Sequence, residues 1–426
     1  MISILEYDRS RPDAVLPRED NATNEVSERV ADIIAAVRRD GDAALRAYAE
    51  KFDRVTLDSL EVTPDEMRAA LDAVPAKFLE VAKKSAANIE AFHRRQVREG
   101  FRFEPAGGVV LGQKVTPLDR VGLYIPGGTA PLSSSVLMNA IPAKIAGVPN
   151  IVMATPPAKD GGVSPYILAA AHVSGVTRIF KMGGAQAIAA LAYGTETVPA
   201  VDKIVGPGNA YVAEAKRQVF GRVAIDMIAG PSEILIVADG GCDPAFVAAD
   251  LLSQAEHDRL ASAVLVTPDR ALAQAVQQEL EAQIPRLPRA EIARTSIDNR
   301  GKIIIVENID EAIEVANTLA PEHLELCVED ALDRLPSVKN AGSIFLGRYC
   351  PEALGDYFAG PNHVLPTGGT ARFSSPLSVD DFVKRSAFTY YTADALRAVS
   401  DDIAYFAETE ELHAHARSAT IRFEKD

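Results

Sequence analysis

Short β-branched segments alternate with alanine-rich segments from about residue 121 onward, and this alternation constrains the fold more than any other feature. The β-branched segments are Val121–Ile125, Ile151–Thr155, Arg178–Met182, Lys203–Val205, Ile234–Ala238, Ala263–Thr267, Ile303–Val306 and Ser343–Leu346. Strands that are separated by helix-length segments form βαβ units, because parallel neighbours need a crossover connection. We therefore predict an α/β fold with parallel sheets, helices on both faces and enough strands for two sheets.

The size and charge of the chain narrow its class. Its 426 residues suggest two to three domains. A net charge of -15 without a dense lysine or arginine cluster argues against nucleic acid or a membrane surface as a partner. The N-terminal sequence has no signal-peptide pattern, and no apolar segment is long enough to cross a membrane. Three widely spaced cysteines fit a reducing compartment. We predict a cytoplasmic protein.

The first hundred residues carry helix patterns. Val30, Ile33, Ile34 and Val37 form the apolar stripe of an amphipathic helix. The segment Thr63–Glu66 has the sequence of a capping box with proline at the first helical position.

The strand pattern fades after Phe373. We predict a helical tail over Asp380–Ile403, followed by the charged segment Glu408–Arg422, which contains two histidines. Histidines so far from the predicted core need a docking partner, such as a second subunit.

Four glycine-rich turns are candidates for a ligand cleft. They are Ile125–Thr129, Gly183–Gln186, Gly206–Asn209 and Gly230–Glu233. Ligands of open α/β sheets bind beyond the carboxyl ends of strands, where glycine allows close backbone approach. None of the four has the GxGxxG pattern of dinucleotide-binding turns, and a single one is more often a plain tight turn. Four in one domain-sized segment favour a nucleotide or substrate cleft.

A second set of polar residues is suited to a metal ion. Gln254 and His257 lie three residues apart near the end of a predicted helix, so they share one face. Asp356 and the tail residue His415 complete an N/O donor set that zinc accepts and that manganese or cobalt also tolerates. Their spacing in the sequence favours neither of two interpretations, a shared metal site or polar residues with unrelated roles.

The pair Glu322–His323 follows a predicted helix and precedes a predicted strand over Leu324–Leu326. An adjacent carboxylate and imidazole can carry protons in separate steps. Taken without context, the same residues form an ordinary polar turn.

At these positions the chain resembles the histidinol dehydrogenase family over essentially its whole length. The segments that carry the resemblance are Val121–Gly128, Gly183–Leu191, Val205–Asn209, Ala229–Glu233, Leu252–His257, Pro321–Leu324, Gly355–Tyr357, Asn362–Thr367 and Ala414–Arg417. This many motifs in the order of the family make the resemblance specific.

The resemblance implies two incomplete Rossmann-like domains in an obligate, intertwined homodimer. On this basis we expect a helical N-terminal arm at residues 1–20 and a first domain formed by 21–123 and 234–377. A second domain is expected at 124–233, and a C-terminal helical tail that docks on the partner subunit at 378–426.

The resemblance also implies the functional residues. Zinc, one ion per subunit, would be bound by Gln254, His257 and Asp356 of one subunit and by His415 of the other. The positions that match substrate contacts are the four zinc ligands together with Ser232, His323, His363 and Glu410. The positions that match NAD contacts are Tyr124, Gln186 and Asn209.

The implied reaction is the oxidation of L-histidinol to L-histidine, the last step of histidine biosynthesis, through an aldehyde and with two NAD reduced. His323 would act as general base and Glu322 would activate water. Two alternatives are a paralogous zinc and NAD dehydrogenase of another small polyol or sulfonated alcohol, and a non-catalytic binding protein of the same fold. An altered tail would favour the first, and loss of Glu322 and His323 would favour the second; the chain shows neither change.

Overall fold

The computed structural model describes residues 1–10, 24–127 and 131–424. Part of the predicted N-terminal arm and part of the first glycine-rich turn (Gly128 and Thr129) lie outside these residues. The strands are β1 (Ser3–Glu6), β2 (Phe101–Ala106), β3 (Val109–Pro117), β4 (Arg120–Tyr124), β5 (Asn150–Thr155), β6 (Arg178–Lys181), β7 (Lys203–Val205), β8 (Ala224–Ile225), β9 (Glu233–Ala238), β10 (Ser262–Thr267), β11 (Lys302–Ile305), β12 (His323–Cys327), β13 (Ser343–Leu346) and β14 (Val383–Tyr391).

The α-helices lie mostly between these strands. They are α1 (Asn24–Tyr48), α2 (Pro64–Ala73), α3 (Ala76–His93), α4 (Ser133–Ala146), α5 (Pro165–Ser174), α6 (Gly184–Tyr193), α7 (Ala210–Val219), α8 (Pro244–Ala255), α9 (Arg270–Gln283), α10 (Ala290–Arg300), α11 (Ile309–Leu319), α12 (Ala331–Arg334), α13 (Glu352–Leu354), α14 (Ala393–Arg397), α15 (Ser400–Thr409) and α16 (His413–Thr420). The described helices contain none that is long and apolar enough to cross a membrane.

Two wholly parallel sheets confirm the predicted fold class. The six-stranded sheet has the order β1-β11-β10-β9-β12-β13, and the five-stranded sheet has the order β6-β5-β4-β7-β8. Each sheet has a separate apolar cluster on each face, as expected where helices cover both sides. The alternation of strand and helix patterns therefore predicted the layered architecture correctly.

The amphipathic helix and the capping box predicted in the N-terminal part of the chain are also confirmed. The stripe residue Val30 is fully buried in α1. At the start of α2, the backbone N–H of Thr63 donates to Glu66 Oε2 at 2.7 Å, and the backbone N–H of Glu66 donates to Thr63 Oγ1 at 3.2 Å. Glu66 also pairs with the buried Lys181 of β6 at 2.9 Å. The capping box therefore attaches α2 to the edge of the five-stranded sheet.

The chain divides into two compact units, Met1–Gln96 with Leu118–Phe382, and Val97–Pro117 with Val383–Asp426. The first unit contains both parallel sheets. The second contains a three-stranded antiparallel sheet of order β14-β3-β2 and the helices α14, α15 and α16.

Two expectations for the chain ends need correction. Ser3–Glu6, expected to be part of a helical arm, is instead a strand at the edge of the six-stranded sheet, paired in register with Lys302–Ile305. The tail is helical from Ala393 onward, but the helix expected from Asp380 is wrong, because Val383–Tyr391 is a strand paired with β3. Only the middle strand β3 has buried positions, so an inside–outside alternation is weak in this sheet and its sequence pattern is hard to recognise.

Candidate active site

The predicted pair Glu322–His323 lies at the amino edge of the six-stranded sheet. His323 is the first residue of β12 and is paired in register with Ile234 of β9 and Ser343 of β13. Both side chains of the pair are buried, His323 with 4% of its surface exposed. The turn Gly230–Glu233 leads into β9 at this same edge, so it does not lie at the carboxyl end of a strand as the glycine-rich turns were expected to do.

Backbone groups of Glu233 hold both members of the pair. The Glu233 N–H donates to Glu322 Oε2 at 2.8 Å, and His323 Nδ1 lies 2.9 Å from the Glu233 carbonyl oxygen. Because a carbonyl oxygen can only accept, Nδ1 carries the proton. Burial lowers the pKa of His323, with Asp356 acting in the opposite direction. The neutral ring therefore has an unprotonated Nε2, which is what a general base requires.

Two carboxylates face the free nitrogen of this ring. His323 Nε2 lies 3.7 Å from Glu352 Oε1 and 3.9 Å from Asp356 Oδ1. Among the described residues, His323 Nε2 and Glu352 Oε1 are both buried without a hydrogen-bond partner. Buried polar atoms are seldom left unpaired, so a pair of them facing each other indicates a position for a ligand.

The charges at this position are strongly perturbed. Burial and the charge of the neighbouring Asp356 together raise the pKa of Glu352 to about 8. Burial opposes ionisation of Asp356 as well, but His363 and His323 outweigh it and hold the pKa of Asp356 below its usual value. Burial, together with the charges of Glu233, Asp356 and Glu352, raises the pKa of Glu322. Neighbouring side chains whose pKa values are shifted in opposite directions are typical of functional sites.

The end of α8 brings the predicted metal ligands to the same edge. A helix that connects two parallel strands runs antiparallel to them, so α8, between β9 and β10, returns the chain to the amino edge. Gln254 has 1% of its surface exposed, and its side chain lowers the pKa of Glu352. His257 Nδ1 lies 2.8 Å from the Ser253 carbonyl oxygen, which leaves Nε2 free.

His363 connects this cluster to the other sheet. Its Nδ1 lies 3.5 Å from Asp356 Oδ1, and its Nε2 lies 3.3 Å from the hydroxyl oxygen of Ser135. Ser135 is in the first turn of α4, the helix that follows β4. The predicted substrate position Ser232 is half-buried directly before β9 and accepts a backbone hydrogen bond from Ser262 at 2.9 Å.

The predicted NAD positions lie on the five-stranded sheet, at the carboxyl ends of its strands. Tyr124 ends β4, and its buried hydroxyl accepts a hydrogen bond from the Gly184 N–H at 3.0 Å. Gln186 is buried in the first turn of α6. Asn209 is the N-cap of α7, where its Oδ1 accepts from Tyr211 at 3.0 Å. The turns before α6 and α7 thus present helix N-termini at this edge, which suits a diphosphate.

The two tail positions belong to the second unit. Glu410 follows α15, and His415 lies in α16; both are exposed. The neighbouring His413 is exposed too.

The donor set at the amino edge fits a divalent cation. Donor atoms of His323, Glu352 and Asp356 all lie within 4.8 Å of one another, and the two unpaired atoms are among these residues. The backbone contact of His257 Nδ1 is the outer contact that metal-bound histidines usually make.

Sequence reasoning missed Glu352. It precedes Asp356 by four residues, a spacing that places both on one helical face, and this was the available signal. Its backbone N–H donates to Glu325 Oε1 at 2.7 Å, and its Oε2 lies 3.1 Å from the Ser253 hydroxyl oxygen.

Comparisons with known proteins identify the family of the chain. The profile described as "Histidinol dehydrogenase" matches residues 16–423. A histidinol dehydrogenase of Geobacillus kaustophilus is 56% identical over 99% of this chain and 100% of its own length. One of Clostridium acetobutylicum is 54% identical over 95% of this chain and 94% of its own length. The crystal structure of histidinol dehydrogenase from Elizabethkingia anophelis superposes with a TM-score of 0.94 at 38% identity, covering 100% of this chain and 98% of that one.

Proposed function

Because the chain belongs to the histidinol dehydrogenase family and is therefore an oxidoreductase, we propose that it oxidises L-histidinol to L-histidine with two NAD reduced. The observation that carries this proposal is the unprotonated His323 Nε2, which is buried beside Glu352 and Asp356 and has no hydrogen-bond partner in the described part of the chain. A base in this state can accept the proton of a substrate hydroxyl.

The reaction divides into three steps. In the first, the alcohol loses a hydride from carbon and a proton from oxygen, giving the aldehyde; His323 Nε2 accepts the proton. In the second, water adds to the aldehyde carbon: Glu322 takes a proton from that water, and the protonated His323 returns its proton to the carbonyl oxygen, which gives the hydrate and restores the neutral His323. A raised pKa makes the ionised form of Glu322 a stronger base than an ordinary carboxylate. In the third, the hydrate loses a hydride and a proton, and His323 again serves as the base.

We propose Gln254, His257 and Asp356 as zinc ligands in each subunit, with His415 of a second copy as the fourth. When bound, zinc supplies a fixed positive charge that holds the imidazole and amino nitrogens of the substrate, and NAD accepts the hydride. Ser232, His363 and Glu410 are proposed substrate contacts. Tyr124, Gln186 and Asn209 are proposed NAD contacts, supported by their place at the carboxyl ends of the strands.

We further propose a homodimer, which exposed aromatic residues of the second unit support. Every residue of β2 and most of β14 are exposed. Large aromatic side chains on this unit are open to solvent in one copy, among them Phe101, Tyr390, Tyr405 and Phe406. We infer that these exposed aromatic side chains contribute to a subunit contact, because aromatic residues are enriched at protein interfaces. The cytoplasm as the site of the reaction stays a prediction, in keeping with three free cysteines.

The stoichiometry of the reaction tests the proposal. Zinc-loaded protein is incubated with a limiting amount of L-histidinol and excess NAD, with and without a chelator, and NADH and histidine are measured. We expect two NADH and one histidine per histidinol, and loss of both with the chelator. One NADH per substrate molecule would indicate an alcohol dehydrogenase instead, and no NADH would indicate a binding protein.

A further inference from the structure

Asp53 is a half-buried acidic residue that the proposed mechanism does not use. It ends a short π-helical turn, Ala49–Asp53, and is followed by Arg54, whose φ of 59° lies in the left-handed region. Among the described residues, Asp53 Oδ2 is buried without a hydrogen-bond partner. Burial raises the pKa of this carboxyl group. A buried carboxylate oxygen without a partner is costly, so it indicates a ligand that donates a hydrogen bond to it.

The backbone carries Asp53 to the carboxyl edge of the five-stranded sheet. Lys181 of β6 donates to the Leu60 carbonyl at 2.7 Å, and Val62 donates to the Ile179 carbonyl at 2.9 Å. Glu61 and Phe180 accordingly form an antiparallel bridge. Since this segment runs opposite to β6, the chain that leads back from Leu60 to Asp53 continues in the direction in which β6 ends.

Two neighbouring segments confirm this position. The loop after β5 packs against the residues that follow Asp53, because a Cβ built on Gly161 would lie 3.4 Å from the Val55 side chain. The charge of Asp53 contributes, after burial, to raising the pKa of Tyr124 to about 12. Asp53 therefore lies near Tyr124, whose hydroxyl contacts Gly184 in the glycine-rich turn after β6. A second buried atom at this edge, Thr155 Oγ1 at the end of β5, also lacks a partner among the described residues.

We propose that Asp53 binds the adenosine ribose of NAD and selects NAD over NADP. A carboxylate accepts hydrogen bonds from the two vicinal hydroxyls of the ribose, and it repels the 2′-phosphate that distinguishes NADP. The exposed Arg54 is the next residue and offers a cation that can pair with that phosphate once the charge of Asp53 is removed. The inference rests on the proposed use of NAD.

Binding of the reduced nucleotides to zinc-loaded protein tests this inference without turnover. NADH and NADPH are titrated by fluorescence against the natural chain, Asp53→Asn and Asp53→Ser. The matched control is Asp58→Asn, which removes an exposed acid five residues further on. We expect the Kd for NADH to rise about tenfold in both Asp53 variants, because each variant loses a charge-assisted hydrogen bond to the ribose. The preference for NADH over NADPH should fall by about 100-fold, because the repulsion is lost as well. Asp58→Asn should change neither the Kd for NADH nor the preference for NADH over NADPH.

A test with the natural chain covers the case in which these variants do not fold. An NADH analogue that lacks the adenosine 2′-hydroxyl should bind about tenfold more weakly than NADH, since it cannot donate to Asp53. Equal binding of NADH and the analogue would overturn the role of Asp53 while leaving the proposed function intact. An equal loss of affinity for NADH and NADPH in the variants would do the same. A chain that binds no NADH at all would instead contradict the proposed function.

Discussion

The two parallel sheets contribute to the proposed active site through opposite edges. The five-stranded sheet offers the carboxyl ends of its strands, with Tyr124 and the glycine-rich turn at Gly184. The six-stranded sheet offers its amino edge, where His323 begins β12. The first edge is formed by backbone groups and helix N-termini, and the second by buried ionisable side chains. The proposed nucleotide contacts and the proposed proton-transfer groups therefore lie on different sheets, and the contact between His363 and Ser135 connects the two regions.

The largest effect is expected from His323→Gln. This variant keeps a polar side chain but removes the base, so kcat should fall by about 10³-fold, within the range for general-base catalysis. The Kd for NADH, measured by fluorescence, should stay within twofold, because the nucleotide positions are on the other sheet. A parallel loss of NADH binding would show that the two edges are not independent.

His257→Ala should have the next largest effect. Removal of a metal ligand should weaken zinc binding by at least about 100-fold, more than loss of an outer contact does. Zinc content after dialysis against a chelator of known affinity is the measurement, and NADH binding is the internal control. His172→Ala, in α5 of the other sheet, is the matched histidine control and should retain its zinc. Full zinc content in His257→Ala would remove this residue from the ligand set.

Tyr124→Phe tests the nucleotide edge alone. The change removes the acceptor of the Gly184 N–H and leaves that half-buried donor without this hydrogen bond, which should raise the KM for NAD about tenfold. At saturating NAD, kcat should be nearly unchanged, and zinc content should be that of the natural chain. A loss of kcat without a change in the KM for NAD would place Tyr124 in the chemistry instead.

The smallest effect is expected from Glu66→Gln, which removes an ion pair with Lys181 of β6 and changes none of the residues proposed to bind NAD, zinc or substrate. Hydrogen bonds from Lys181 and Thr63 outweigh burial and lower the pKa of Glu66 from 4.5. The ionised group therefore stabilises the fold above pH 4.5, and this stabilisation is lost as the pH falls through the lower folded-state pKa. In denaturant unfolding we expect a loss of about 1 kcal/mol at pH 7 for this partly exposed pair. In acid, the free energies of unfolding of the natural chain and of Glu66→Gln should become equal. A difference that persists in acid would show that the substitution acts through packing instead.

The elements of the two parallel sheets could be predicted because their signals are local. Ile234–Ala238 is a buried β-branched run, and the capping box at Thr63 is complete within four residues. The strand Val383–Tyr391 was missed because it lies in a largely exposed antiparallel sheet, where packing imposes little alternation on the sequence.

The sequence by itself determined the α/β class, the family, and the chemistry available at Glu322, His323, Gln254 and Asp356. Only the tertiary structure decided that Glu322 and His323 are at an amino edge, that Glu352 faces His323, and that Asp53 reaches the nucleotide edge. The physical reason for this division is that the hydrophobic patterns of strands and helices depend on only a few consecutive residues. The protonation state of His323, and the burial of an Asp53 oxygen that has no partner among the residues described, depend on groups that are distant in the chain and meet only after folding.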